Sequence, residues 1–575
     1  MAKFTKQTRV SQVPKTINRA GGQAFVVADP TTELLTMVGS SFFNERDCTY
    51  YTVAKPGKKV VANTQGMTDQ AVKVLSLAEQ IADGENPRDL LAIAHWARTE
   101  GNMRSTPCAL LAVAAHSNVY KGTGLVRQYC SSIIQRADEL SQVFLAYQNL
   151  YGRPFPNALK RGLAQAFTKF NEYGLVKYQS GLGDILKMVE RRKDYPVSEA
   201  VREFLVEGTV SNPEGVPLIA ARKELSKRNS LDKRSLELIK SSGATWENVI
   251  SQFGNSAEVW EAVQPNMPYM ATLRNLRNLV QANVSQTTIA TVVAKLTDPE
   301  QVARSRQLPF RFFTAGIALE EAGAETKKFS AASNFYSGYD YAAPRATAVN
   351  HFSVQNLQAA VERALDMSVE NIVELSGNTA VLVDVSGSMY GATVSQRSSL
   401  NAAQVSQLMG AICFKASENG VVIPFGQSAA MAVLNKNDSV IATMGKIQTA
   451  ARKCGHATYA HKAVELLSAS KLRVDRIVIL SDMQCYGSMG YGADAPALYS
   501  AIDSYRRKYN REVKIHSVDL MPYGSGSQVP SEDKNVNLVS GWSEKIFNTF
   551  AQFEGLESVG DKKVTPTIEY IRKNF

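Results

Sequence analysis

The sequence predicts two architectures in one chain. An α-helical repeat array fills the first 360 residues, and an α/β domain with a doubly wound, mostly parallel sheet follows. Three observations predict this. Apolar residues recur at helical spacing, with short polar connections, through the first part. Five short β-branched runs alternate with helical stretches in roughly the last 200 residues. An acid and two hydroxyls follow the first of those runs, where an α/β sheet presents its ligands.

Composition sets the outer limits. At about 150 residues per domain, 575 residues allow about four units or fewer large ones. Hydrophobic residues at 44% and charged residues at 20% exclude general disorder. No run of about 18 apolar residues occurs, so no transmembrane helix and no membrane partner are expected. The start, Met1-Ala2-Lys3-Phe4-Thr5-Lys6, turns polar without an apolar stretch, so secretion is not indicated. Six cysteines (Cys48, Cys108, Cys130, Cys413, Cys454, Cys485) form no CxxC pair. That pattern fits reduced thiols in a cytoplasmic protein and speaks against a zinc site or a disulfide framework.

The net charge of +11 is unevenly placed. Residues 1–360 hold 42 Lys+Arg against 32 Asp+Glu, and residues 361–575 hold 22 against 21. Within the first part, residues 151–240 hold 17 basic and 11 acidic side chains. That window is the leading candidate surface for a polyanion.

The helices follow in order. Asn86-Pro87-Arg88-Asp89 reads as a helix start, with Asn as N-cap and Pro at the first helical position. Leu90, Ile93, Ala94 and Ala97 continue it, and a second apolar helix runs from about Pro107 to His116. Further helices are predicted over Leu125–Gln148, Asn157–Tyr173, Leu182–Arg192, Ser198–Glu207, Val216–Arg228, Ser235–Ser241, Trp246–Phe253, Ser256–Ala262, Met270–Asn283, Thr287–Leu296, Pro299–Arg306 and Pro309–Ala322. Short connections imply antiparallel neighbours and a solenoid of the HEAT kind. Gln23–Val27 reads as a short strand, and Phe329–Pro344 as a linker.

The strands are Thr379–Val383, Val421–Phe425, Arg476–Leu480, Val513–Leu520 and Val536–Val539, with helices near 395–417, 457–469, 495–509 and 543–552. The first strand runs into Asp384-Val385-Ser386-Gly387-Ser388. Alternation there turns three oxygens toward one point. The third strand ends in Ser481-Asp482, and Thr458 opens a helix between them. Asp384, Ser386, Ser388, Thr458 and Asp482 together make an oxygen shell suited to a hard divalent cation, Mg²⁺ above all. No GxxxxGKS/T follows a strand, which excludes a P-loop. His456 and His461 flank Thr458, where a loop or helix-surface role is favoured over catalysis. No nucleophile–base set is identifiable, so no catalytic residue is assigned.

The DxSxS run, Thr458 and Asp482 resemble the metal-ion-dependent adhesion site of a von Willebrand factor A domain. The usual Gly-Gly-Thr loop reads His456-Ala457-Thr458 here. The helical part resembles the TROVE family (telomerase, Ro and vault), its Ro autoantigen-like members in particular. The residues that carry this are Ala20–Val27, Cys48-Thr49-Tyr50-Tyr51, Asn157-Ala158-Leu159-Lys160-Arg161, Glu258-Val259-Trp260, Met267–Leu276 and Leu308-Pro309-Phe310-Arg311. The resemblance implies a TROVE module over 1–360 whose HEAT-like repeats close into a monomeric ring. It implies an A domain over 375–555, and a tail over 556–575 that packs back on the ring. It also implies a non-catalytic ribonucleoprotein component for RNA quality control. Y-like small noncoding RNA would bind the outer basic surface, and single-stranded 3′ ends of misfolded RNA the ring cavity. An exoribonuclease or helicase would be a protein partner. Lys177-Tyr178 matches a lysine of the family's Y RNA surface, and Glu190 stands where the family has a histidine. The RNA-binding expectation therefore falls on Lys160, Arg161, Lys169, Lys177 and Lys187, with Arg191, Arg192 and Lys193 beside them. The alternative is a scaffold that captures an acidic group of a partner protein through the A-domain metal.

Overall fold

The computed structural model describes residues 13–27, 29–44, 69–179, 181–189, 197–322, 351–392, 400–485, 494–521, 526–541, 546–555 and 566–575. Packing divides the chain into two units. One takes Glu45–Leu296, Ala346–Leu357 and Phe575, and the other Met1–Asn44, Thr297–Arg345 and Gln358–Asn574. Among the described residues no helix is long and apolar enough to cross a membrane.

The first unit is helical. Neighbouring helices pack in pairs, among them Arg88–Thr99 on Ser105–His116, Pro217–Ser226 on Lys233–Ser241 and Trp246–Phe253 on Ala257–Val263. The helix expected to start on an Asn86 cap begins at Arg88, with Pro87 in the cap position and no side-chain capping bond. The single helix expected over 125–148 is two, Leu125–Ile133 and Ala137–Tyr151. Glu139 causes the break. Its Oε2 accepts the amides of Gln135 at 2.7 Å and Arg136 at 3.0 Å, while Oε1 meets the buried Arg98 at 2.8 Å. Helix-terminal amides have no intrahelical partner, so a buried carboxylate that takes two of them fixes a helix start. The helix expected over 270–283 breaks at Asn275, whose side-chain amide donates to the Ala271 carbonyl at 2.9 Å. Helix Leu125–Ile133 crosses Asn157–Phe167 at Gly162, where a Cβ would fall 2.4 Å from Cys130 Sγ. Leu159, Leu163 and Ala166 are buried on that same side, which leaves Arg161 to the exposed face.

The second unit is α/β. Among the described residues its main sheet has five strands, β3 (Leu375–Asp384), β4 (Ser417–Phe425), β5 (Arg476–Ser481), β6 (Lys514–Asp519) and β7 (Val536–Ser540), all parallel in the order β4-β3-β5-β6-β7. Each predicted strand is present. Ala380 and Leu382 of β3 join one core with Ala463 and Val464 of helix Ala460–Ala469 and Leu498 and Ile502 of helix Ala495–Lys508. Val383 faces the other side, where Gly410 of helix Ala402–Ala416 lets the helix approach; a Cβ there would sit 2.7 Å from Val383 Cγ2. A further helix, Val440–Ala451, was not expected. Its apolar pattern is diluted by Thr443 and Gly445, and packing on β4 and helix Ala402–Ala416 supports it.

A hairpin of β1 (Lys15–Ile17) and β2 (Gln23–Phe25) belongs to this unit. Phe25 exchanges backbone hydrogen bonds with Ser527 at 2.8 and 2.9 Å, and its ring meets Tyr499 edge-on at 6.0 Å. The C-terminal helix Pro566–Asn574 packs on helices Ile546–Glu554 and Pro30–Asn44. The expected linker at Phe329–Pro344 lies outside the described residues. Cys108, Cys130, Cys413, Cys454 and Cys485 are all buried free thiols; Cys48 lies outside the described residues.

A buried polar network ties helix Ile546–Glu554 to the sheet. Arg476 on β5 holds Glu554 with two bonds of 2.7 Å, and His516 on β6 approaches Glu554 Oε1 at 2.8 Å. These two bases pull the Glu554 carboxyl down to about 2 against the opposing effect of burial. The folded state therefore holds Glu554 ionised where the unfolded chain is protonated. Its stabilisation is full above the usual glutamate pKa and fades as pH falls toward 2. Removing one partner of a buried pair costs about 3–5 kcal/mol. Glu554→Gln should lower the melting temperature at pH 7 and flatten its decline between pH 5 and 3, read by circular dichroism.

Candidate functional site

The chain runs from β3 to β4 on one side and returns to β5 on the other, so the strand order reverses between β3 and β5. Ligands of open α/β sheets bind at such a reversal, beyond the carboxyl ends of the strands. Asp384 ends β3, and Asp482 follows β5 directly. Both are fully buried. Asp384 Oδ1 accepts the Ser386 amide at 2.9 Å and Oδ2 the Ser481 hydroxyl at 2.6 Å. Ser386 and Ser388 place their Oγ atoms 3.2 Å apart. Asp482 Oδ1 accepts the Gln484 amide at 3.1 Å, while its buried Oδ2 has no hydrogen-bond partner.

Thr458 reaches the same edge through a pinned loop. His456 O accepts the Gly387 amide at 2.9 Å, and Gly426 O accepts the Tyr459 amide at 2.8 Å. Gly426 is needed there, since a Cβ would lie 2.2 Å from Gly455 O. The five oxygen-bearing residues read from the sequence thus converge on one edge. His461 turns elsewhere, with its ring 5.8 Å from Tyr459 and its pKa lowered by burial.

Electrostatics single out the site. Burial raises the Asp384 carboxyl, and the neighbouring Asp482 charge raises it further. Burial raises Asp482 as well, offset in part by Ser388 and the Gln484 amide. Asp519, which the sequence reading passed over, ends β6 in register with Ser481. Burial, then the Asp482 charge, push its carboxyl up to about 8. The available signal was an acid at a strand end on the same edge. Among the described residues no group of three His, Cys, Asp or Glu forms a metal cage. The donor set is carboxylate plus hydroxyl, and it fits a hard cation that keeps waters in its shell. The orphaned, fully buried Asp482 Oδ2 is the observation that favours a ligand here.

The basic residues differ in what they touch. Arg161 and Lys187 are exposed, and Lys160 is half-buried, on helices Asn157–Phe167 and Leu182–Val189, which pack together. Lys177 stands 5.7 Å from the Tyr173 ring centroid and 5.4 Å from that of Tyr178. Arg136, also missed by the sequence reading, lies 4.9 Å from the Tyr178 ring on top of its pairing with Asp138. Lys169 differs. Its ammonium binds the carbonyls of Ser131 and Ile134, the latter at 2.7 Å, at the end of helix Leu125–Ile133, and burial lowers its pKa. Its charge completes a helix C-terminus. Arg191, Arg192 and Lys193 lie outside the described residues. On helix Ala495–Lys508, Arg506 is buried against Asp533, while Arg507 and Lys508 are exposed.

The TROVE domain family model matches residues 33–203 and 219–374. The chain is 27% identical over 301 residues to telomerase protein component 1 of Rattus norvegicus, covering 42% of this chain and 11% of that protein's length. It is 22% identical over 390 residues to the RNA-binding protein RO60 of Deinococcus radiodurans, covering 66% of this chain and 68% of that one. Its fold resembles the crystal structure of the Deinococcus radiodurans RO (RSR) protein with a TM-score of 0.64 at 16% identity, across 91% of this chain and 99% of that one. The expected fold class, a helical array followed by a doubly wound α/β domain, stands.

The raised carboxyls have a measurable sign. The unfolded chain releases these protons near the usual aspartate pKa, whereas the fold retains them to higher pH. Without divalent cations, the contribution of these carboxyls to stability therefore falls from about pH 4 upward and levels off above about pH 8. Asp482→Asn should make this decline shallower in a chelating buffer, as read by melting temperature against pH.

Proposed function

The chain belongs to the TROVE domain family, whose model spans more than half of it, and on that premise we propose a non-catalytic RNA-binding protein of ribonucleoprotein particles. The single observation that carries the reading is this membership. The RNA-binding name of its bacterial relative and the location of the charge support it.

RNA duplexes present phosphates and shape more than legible base edges, so exposed Arg161 and Lys187 on adjoining helices suit them. Lys177 between Tyr173 and Tyr178 combines a cation with stacking surfaces, which suits an unpaired base. The finer reading is a Y-like small noncoding RNA on this basic surface and single-stranded 3′ ends of misfolded RNA in the ring cavity, in the service of RNA quality control in the cytoplasm. An exoribonuclease or helicase would act on the bound RNA.

A second reading concerns the α/β unit and can hold alongside the first. Asp384, Ser386, Ser388, Thr458 and Asp482 would hold Mg²⁺, and the buried, unpartnered Asp482 oxygen favours it. A bound divalent cation supplies an open coordination position for an acidic group of a partner protein. The residues of the chain bury the carboxylates, orient them through the Ser481 and Ser386 bonds, and limit the room around them.

Titration with a hairpin RNA, with and without a single-stranded 3′ tail and across a salt series, tests the first reading. Affinity should fall with salt and with removal of the tail. Arg161→Ala combined with Lys187→Ala should reduce the log–log salt slope by about 0.9 or less for each phosphate that the two side chains neutralise. Binding indifferent to both tail and salt would remove the reading. For the second, millimolar Mg²⁺ should raise the melting temperature at pH 8 in the wild type and not in Asp384→Ala.

A further inference from the structure

The segment after Asp482 is strained and tightly held. Met483 has φ +61, a left-handed conformation that is uncommon outside glycine. Ser481 Oγ accepts the Met483 amide at 3.1 Å while donating to Asp384. Gln484 is buried, and it grips Asp482 twice. Its amide donates to the carboxylate at 3.1 Å, and its side-chain Nε2 donates to the Asp482 carbonyl at 3.0 Å.

The other end of that side chain reaches the N-terminal hairpin. Gln484 Oε1 accepts the Ala20 amide at 3.1 Å, in the turn between β1 and β2. Asn18, buried in the same turn, accepts the Gly22 amide at 2.9 Å and donates to the Cys485 carbonyl at 3.0 Å. Gly22 presses on the same carbonyl so closely that a Cβ would lie 2.2 Å from it. The hairpin is anchored on its far side through Phe25 and Ser527.

We infer that the hairpin Lys15–Phe25 is a positioning clamp for the cation site, with Gln484 and Asn18 as the residues that transmit its docking to Asp482. The inference rests on the cation reading above. A carboxylate that leads into a strained turn keeps its direction only while the turn behind it is held. Here two of the holding bonds end on residues about 460 positions away in sequence. Partners that orient metal ligands without touching the metal are typically worth about 10–100-fold in affinity. Coupling between two binding events is reciprocal, so a cation that favours the clamped turn must also favour the docked hairpin.

Two measurements test this on the full chain with Mn²⁺ and Mg²⁺ as probes. In Mn²⁺ titrations, Asn18→Ala and Gln484→Ala should each weaken binding about 10-fold or more, and Asp482→Asn should abolish it. Hydrogen exchange needs no substitution: saturating Mg²⁺ should slow amide exchange in peptides spanning Asn18 to Gly22. Wild-type Mn²⁺ affinity in both alanine variants, with hairpin exchange indifferent to Mg²⁺, overturns the clamp. If Asp482→Asn still abolishes binding in that case, the cation reading survives without it. Absence of Mn²⁺ binding by the wild type, or binding unchanged by Asp482→Asn, overturns both.

Discussion

The α/β unit buries two carboxyls, Asp384 and Asp482, at the ends of neighbouring strands, where burial first and the Asp482 charge second raise Asp384. A parallel sheet delivers both to one edge because the chain leaves β3 toward β4 and returns to β5 on the other side. Hydroxyls and amides from two separate segments lie around them: Ser386 and Ser388 after β3, Ser481 and Gln484 around the end of β5. Close backbone approaches make that convergence possible. Gly426 meets the Gly455 carbonyl and Gly22 the Cys485 carbonyl where any side chain would collide. Burial disfavours the charged form of both carboxyls, so the fold retains their protons to higher pH than the unfolded chain does.

The helical unit works on a different principle. Its basic side chains differ in what they already bind more than in exposure. Lys169 and Arg161 both lie in the most basic stretch of the chain, and they do different things. Arg161 projects from a helix face whose opposite side is closed by the Gly162–Cys130 approach, while Lys169 spends its ammonium on a helix terminus. A net charge counted over a window overstates what a polyanion can reach.

Much of this was legible in the residues. Strand ends announce themselves when β-branched runs stop at Asp384 and Asp482, because an apolar run and a terminal acid are local features. Asp384 and Asp482 were expected at one sheet edge for that reason, and they lie there. What escaped detection was long-range. Asp519 looks like the end of any strand until β6 is placed beside β5. The helix break at Ile134–Arg136 depends on Glu139 being buried against Arg98, which no window of periodicity contains. Arg136 joins Tyr178 across 42 residues of sequence. Helix Val440–Ala451 carries a weak pattern of its own and is supported by its neighbours. Local chemistry could be read, and the choice between packing partners could not.

The buried thiols carry a consequence for how the molecule is followed in solution. Cys108 and Cys130 lie in the helical unit, and Cys413, Cys454 and Cys485 in the α/β unit. Burial pushes the Cys130 and Cys413 thiols up to about 12 and Cys454 to about 11, so each is inert while its surroundings stay closed. A thiol-modifying reagent then reacts at the rate at which each region opens. Located by peptide mapping, the modified positions would clock the breathing of two separately packed bodies within one polypeptide, with no label introduced.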